Sequence, residues 1–260
     1  RELVRQLLER EDTELIMCLT RGKRSDYLQH PKIQYLQGDV TTFKFPCIPF
    51  TDLIHGACDA NDLHYQDSIY VYHTITEGTK HVMEMADRLS IENVLVLSSG
   101  AVSRDTLYGT AKLACESLSK DCKIARLYSV IGSEMPLNGQ FAAGKFIWQA
   151  INEGKISLYG GLSQRTYLHV SDCARWILKI LDEGENRIYD VAGNESVSIT
   201  YLAMKIAEVW NVPIKDIDGP NREDKYSPDI KPAIALGCEQ TLNLKQSLEI
   251  IHDTHIRHPH

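Results

Sequence analysis

Two pairs of residues near the middle of the chain carry the groups of a proton-transfer site. Ser98 and Ser99 end the apolar run Val94-Leu95-Val96-Leu97, and Tyr108 and Lys112 follow within Tyr-Gly-Thr-Ala-Lys. On a helix, residues four apart share one face and lie about one turn from each other. A phenol with a pKa of about 10 is a poor base at neutral pH, and a neighbouring ammonium favours its ionised form. A hydroxyl from Ser98 or Ser99 would orient a substrate alcohol beside that phenol. The set suits removal of a proton from a hydroxyl while hydride leaves the same carbon. Tyrosine and lysine at this spacing arise often by chance; the Ser-Ser strand end just upstream gives the spacing its weight.

The elements that must position these groups are legible as a repeating pattern. A β-branched and leucine run such as Val94–Leu97 is typical of a strand buried on both faces of a parallel sheet. Before it come an amphipathic helix over 1–10 and strands over 15–19, 33–36 and 53–57, then a helix over 71–89. A chain that opens inside a helix is expected to lack a first strand. After the tyrosine helix the pattern predicts strands at 124–128, ending at Val130-Ile131-Gly132, and at 156–159, 165–170 and 188–191, and helices over 141–153, 173–181, 198–210 and 244–251. Strands alternating with helices imply right-handed crossovers and a parallel sheet, whose ligands sit at the carboxyl ends of the strands. Thr20, Asp39, Gly56-Ala57 and Ser98-Ser99 all fall at such ends.

Composition narrows the function classes. The 260 residues are 43% hydrophobic and 24% charged, with a net charge of −7 and no basic run longer than Arg21-Gly22-Lys23-Arg24, which excludes nucleic acid as the expected partner. No stretch approaches the length of a membrane span and the amino terminus has no signal-peptide form, so no membrane partner and a cytoplasmic location are expected. The seven cysteines are scattered, odd in number and without a Cys-x-x-Cys pair, as in a reducing compartment. No metal site is expected; His252, His255, His258 and His260 read as a solvated tail.

In order along nearly the whole chain, the motifs SSGAV, YGTAK, QGDV, LIHGAC, ARLYSVIGS and SQRTYLHVSD resemble the extended short-chain dehydrogenase/reductase family, the nucleotide-sugar epimerases and dehydratases. The resemblance implies an α/β fold: a Rossmann-like doubly wound parallel sheet with a smaller carboxyl-terminal α/β substrate lobe. Residues 1–137 would form the NAD(P)-binding domain, with 165–185 returning to it, and 138–260 most of the substrate lobe. It implies Ser99, Tyr108 and Lys112 as the catalytic set. Thr20, Arg21, Asp39, Val40, His55, Gly56, Ala57 and Ser98, with Tyr108 and Lys112, would hold NAD(P). Ser99, Tyr128, Asn138, Lys145, Arg165, Arg222 and Asp229 would hold a nucleotide-diphosphate sugar. A homodimer is the assembly the resemblance implies.

Departures from the family pattern sharpen this reading. Arg21, where a ribose-binding carboxylate usually stands, leaves NAD and NADP both open. Only five residues separate Val102 from Tyr108, so a loop is expected to be missing between Ser103 and Leu107, with a break in the chain there. Gly100-Ala101 stands where 4,6-dehydratases place Asp-Glu, which favours epimerisation or simple oxidoreduction over dehydration. A dehydratase, a decarboxylase and a keto-sugar reductase are the alternatives within this chemistry, and a non-catalytic dinucleotide sensor the alternative outside it. His169 reads as a packed strand-end residue and Asp172 as the cap of the helix that follows it.

Overall fold

The computed structural model describes residues 1–22, 27–58, 68–137, 141–217, 224 and 228–257. In chain order the elements are α1 (Glu2–Leu8), β1 (Ile16–Thr20), β2 (Ile33–Gln37), β3 (Asp52–His55), α2 (Ser68–Arg88), β4 (Asn93–Ser99), α3 (Leu107–Leu118), β5 (Lys123–Leu127) and β6 (Ser129–Ile131). There follow α4 (Ala142–Glu153), β7 (Ile156–Tyr159), β8 (Gln164–His169), α5 (Val170–Glu183), β9 (Ile188–Val191), β10 (Ser196–Ser198), α6 (Ile199–Trp210), β11 (Ile214–Ile217), α7 (Lys231–Ala235) and α8 (Leu244–Arg257). The chain divides into two compact units, Arg1–Leu127 with Ala174–Tyr189, and Tyr128–Cys173 with Asp190–His260.

In the first unit β1 and β2 pair in parallel, and a second row runs β3-β4-β5-β9, with β3 and β5 both parallel to β4. Successive strand residues point to opposite faces. Leu95 and Val96 are neighbours in β4 and both are 0% exposed, so the sheet is covered on both sides. On one side Val71, Ile75 and Ala86 of α2 and Ala111 and Cys115 of α3 pack on Val94 and Val96. This is the α/β fold expected from the alternation of elements. β3 ends at His55, so Gly56 and Ala57 lie just past the strand and are exposed.

Between β4 and α3 the structure differs from the expected break. Gly100–Ser103 forms a single 3-10 turn, Arg104 N–H donates to Ala101 O (2.9 Å) and Thr106 N–H to Arg104 O (2.9 Å). Thr106 then caps α3, its hydroxyl accepting from Gly109 N–H at 3.0 Å. The short connection is a closed, hydrogen-bonded turn.

The second unit is built on β10-β8-β6, with β8 antiparallel to β10 and parallel to β6, and on the parallel pair β7 and β11. Its core joins Ile131, Phe146, Ile147, Ile156, Leu202, Ile206, Leu248 and Ile251. Asp172 departs from its expected role. α5 starts earlier, at Val170, so Asp172 lies in the first turn rather than before it. Its buried carboxylate accepts from Thr241 N–H (3.0 Å), Thr241 Oγ1 (2.7 Å) and Leu242 N–H (3.1 Å), tying down the segment that leads into α8. His169 is buried, with Nδ1 2.7 Å from Ser171 Oγ.

Candidate active site

The carboxyl end of β4 and the buried face of α3 bring the first set of residues together. Lys112 is 5% exposed; its ammonium donates to Leu97 O of β4 at 3.1 Å and lies 5.9 Å from the centre of the Tyr108 ring. Tyr108 is half-buried and packs against the core cluster of α2, β4 and α3. Ser99 is also half-buried and caps the 3-10 turn, its hydroxyl accepting from Ala101 N–H at 3.2 Å. That turn rests directly on the first turn of α3. A Cβ at Gly109 would collide with the carbonyl oxygens of Ala101 and Arg104, so only glycine beside Tyr108 permits the approach. Ser98, on the opposite face from Ser99, is 3% exposed and donates its hydroxyl to Glu116 Oε1 at 2.6 Å. The strand pleat thus separates two adjacent serines into different surroundings.

The residues expected along the dinucleotide occupy neighbouring strand ends of the same unit. Thr20 Oγ1 donates to Gly22 O at 2.9 Å, Arg21 is exposed with Nη1 3.3 Å from the Tyr70 hydroxyl, and both line a cavity of 560 Å³ with Cys18, Tyr27 and Tyr35. The rings of Tyr27 and Tyr35 stack at 4.5 Å. Asp39 accepts from Thr41 Oγ1 (2.6 Å) and Thr41 N–H (2.9 Å), bonds that hold its carboxyl below the usual range, helped by the Arg21 guanidinium. Val40 is buried against Gly78 of α2. His55 is 6% exposed; burial, with the nearby Lys112 ammonium, pushes its imidazole down to about 4. Thr79 Oγ1 lies 3.0 Å from His55 Nε2, 2.7 Å from Ile75 O and 3.2 Å from Cys115 Sγ, which ties the buried ring to α2 and α3. A Cβ on Gly56 would come within 2.9 Å of Leu97 Cδ1, the end of a flexible side chain.

In the second unit Tyr128 donates to Asp190 Oδ2 at 3.1 Å, and the Asp229 N–H donates to the same oxygen at 2.8 Å. Asp190 therefore brings two of the expected sugar-side residues together. Arg165 makes an ion pair with Asp224 at 2.8 Å and donates to Asp224 O and Gln164 O. Lys145 is exposed, its ammonium 5.7 Å from the Tyr159 ring centre. Asn138 and Arg222 lie outside the described residues. Sequence reasoning missed Glu116, Arg126, Thr79, Asp190 and Asp224. Of these only Glu116 carried a signal, since it follows Tyr108 and Lys112 at the same four-residue interval.

Residues 1–192 match the NAD dependent epimerase/dehydratase family. The chain belongs to that family. A similar curated protein is UDP-glucuronic acid decarboxylase 2 of Arabidopsis thaliana, 24% identical over 289 aligned positions covering 96% of this chain and 64% of the relative. The alignment is longer than the chain, so the relative carries segments that this chain lacks, and the chain spans under two thirds of its length. Among solved structures, the UDP-glucose 4-epimerase of Thermotoga maritima with UDP-glucose superposes with a TM-score of 0.83 at 15% identity, over 98% of this chain and 94% of that one. The dTDP-glucose 4,6-dehydratase of Bacillus anthracis in complex with NAD gives 0.82 at 15% identity, over 98% and 92%. At these identities the likeness is one of fold, α/β and Rossmann-like. No helix among the described residues is long and apolar enough to cross a membrane.

Proposed function

We propose that this chain modifies a nucleotide-diphosphate sugar through transient oxidation of a ring carbon, with epimerisation as the outcome. The observation that carries the reading is the Lys112 ammonium, buried 5.9 Å from the Tyr108 ring centre on a helix that packs against the strand ending in Ser99. A cation at this range favours phenolate. Tyr108 then takes the proton of a ring hydroxyl, and the Ser99 hydroxyl donates to the same oxygen as it becomes a carbonyl. Lys112 keeps Tyr108 ionised from its anchor on Leu97 O.

The residues at the strand ends fit a dinucleotide. The cavity beside Thr20 and Arg21, the open backbone at Gly56-Ala57 and the neutral His55 offer polar atoms, an uncluttered wall and no competing charge. Thr20, Arg21, Asp39, Val40, His55, Gly56, Ala57 and Lys112 would hold NAD, and NAD when bound supplies the acceptor for the departing hydride. The second unit would bind the sugar nucleotide through Tyr128, Lys145, Arg165, Asp229 and, beyond the described residues, Asn138 and Arg222. Guanidinium suits diphosphate because its rigid fork donates paired, charge-assisted hydrogen bonds.

Decarboxylation is the second reading, favoured by the curated relatives. Oxidation at the carbon next to the one bearing a sugar carboxylate makes that carboxylate β to a carbonyl, from which carbon dioxide leaves readily. Both outcomes begin with the same proton removal by Tyr108. Liquid chromatography with mass detection of the nucleotide sugars, after incubation of the purified protein with NAD and either UDP-glucose or UDP-glucuronic acid, separates them. Epimerisation predicts a product of unchanged mass and new retention time from UDP-glucose, and decarboxylation a product lighter by carbon dioxide from UDP-glucuronic acid. Tight binding of NAD and of both sugars without any product contradicts the enzymatic reading and leaves a sensor.

A further inference from the structure

Glu116 has no part in the proton transfer described above, yet it is 5% exposed and its carboxylate joins three elements. Oε1 accepts from the Ser98 hydroxyl at 2.6 Å and from Arg126 Nε at 2.8 Å, while Oε2 accepts from Arg126 Nη2 at 2.7 Å. Ser98 immediately precedes Ser99 in β4, and Arg126 is its register partner in β5. Glu116 itself stands one turn beyond Lys112 and two beyond Tyr108 on the buried face of α3. Base, ammonium and carboxylate thus occupy three successive turns of a single helical stripe.

Stability alone does not account for such a group. A well-packed apolar set of similar volume holds a core as firmly as a buried ion pair, whereas a two-pronged carboxylate–guanidinium contact accepts only a narrow range of geometries. We propose that Glu116 is a positioning residue: through Ser98 and Arg126 it fixes α3 against the ends of β4 and β5, so that Tyr108 and Lys112 are presented beside Ser99. The inference rests on Tyr108 being the base. The bond from Lys112 to Leu97 O is the second tie between the same helix and strand, one turn away. Releasing Glu116 lets the helix slide or roll, which takes Lys112 off its carbonyl and the phenol away from the strand end. Misplacement of a reacting group by about 1 Å costs on the order of 100-fold in rate.

The test reads Tyr108 directly, without turnover. Tyrosinate absorbance is followed against pH for the full chain and for its Tyr108→Phe form, and the difference isolates the Tyr108 phenol. The midpoint for the parent is expected below that of free tyrosine, about 10. Glu116→Gln keeps the shape and removes the charge. Loss of that carboxylate by itself would lower the midpoint, but displacement of the Lys112 ammonium is expected to outweigh it and raise the midpoint by about one pH unit. A lowered midpoint in this variant therefore also overturns the inference. Ser98→Ala, which leaves the Arg126 contact in place, should move it in the same direction by less, and decides the matter if Glu116→Gln does not fold. A lowered parent midpoint that neither variant moves, even with reduced thermal stability, makes Glu116 a core ion pair only and overturns the inference. A parent midpoint of about 10 instead contradicts the reading of Tyr108 itself, and the inference falls with it.

Discussion

At the end of β3, burial pushes the His55 imidazole down to about 4 from 6.5, and the Lys112 ammonium adds to the effect. In the unfolded chain the same ring ionises at about 6.5. Between those values the unfolded state binds more protons, so the stability that His55 contributes is complete above pH 6.5 and is lost as pH falls towards 4. At roughly 1.4 kcal/mol per pH unit the loss is on the order of 3 kcal/mol. Asp39, held below the usual carboxylate range by Thr41, loses its contribution only at lower pH, below about 4. Urea unfolding across this window should therefore show a decline in the parent that His55→Gln lacks. Parallel declines in both proteins would assign the loss to other groups. Of the residues at this site, the Tyr108–Lys112 pair was legible because a four-residue spacing is local to one helix. The environment of Ser98 was not, since its partner Glu116 comes from another element, 18 residues on.

At the scale of elements, the connection between β4 and α3 decides whether Ser99 and Tyr108 share a neighbourhood. The turn lies against the backbone at Gly109, where a side chain would meet the carbonyls of Ala101 and Arg104. Gly109→Ala gains helix propensity of up to about 1 kcal/mol, but backbone carbonyls cannot give way as a flexible side chain can. A net destabilisation of roughly 1–3 kcal/mol in denaturant unfolding is expected. Gly22→Ala, with nothing within 4 Å of the new methyl, should stay within about 0.5 kcal/mol. Equal effects at the two sites would show that the turn does not bear on α3. Asp172 makes a similar point in the second unit: Asp172→Ala leaves the Thr241 and Leu242 amides without their acceptor, and faster hydrogen exchange at those two amides is the expected sign. Unchanged exchange would mean that other contacts hold the segment. Main strands and helices were legible from apolar runs such as Val94–Leu97. β10 and β11 were not, being three or four residues long and defined by long-range partners β8 and β7. β6 was read as the end of β5 rather than as a separate strand that pairs with β8. The turn at 100–103 was missed because so short a connection was read as a break in the chain, and the hydrogen bonds that close it leave no mark on composition.

Over the whole molecule, the family assignment and the fold followed from motif order, and the two compact units follow from the way the chain leaves the first at Tyr128 and returns at Ala174. The division of labour proposed for them makes a prediction of its own. Arg165→Ala in the second unit should weaken binding of UDP-glucose or UDP-glucuronic acid by about tenfold or more and leave NAD binding nearly unchanged, as read by titration calorimetry. Equal loss for both ligands, or for NAD alone, would contradict the assignment of that unit to the sugar nucleotide. The central claim is that Tyr108 removes the proton whose loss releases hydride from the sugar. It is tested most directly in a single turnover, by mixing NAD-loaded protein with UDP-glucose or UDP-glucuronic acid and following the near-ultraviolet absorbance of NADH. The parent should show a transient rise with at least one of the sugars. Tyr108→Phe, folded and binding NAD and sugar as before, should be slower by about 100-fold or more. A Tyr108→Phe protein that reduces NAD as fast as the parent would contradict the account.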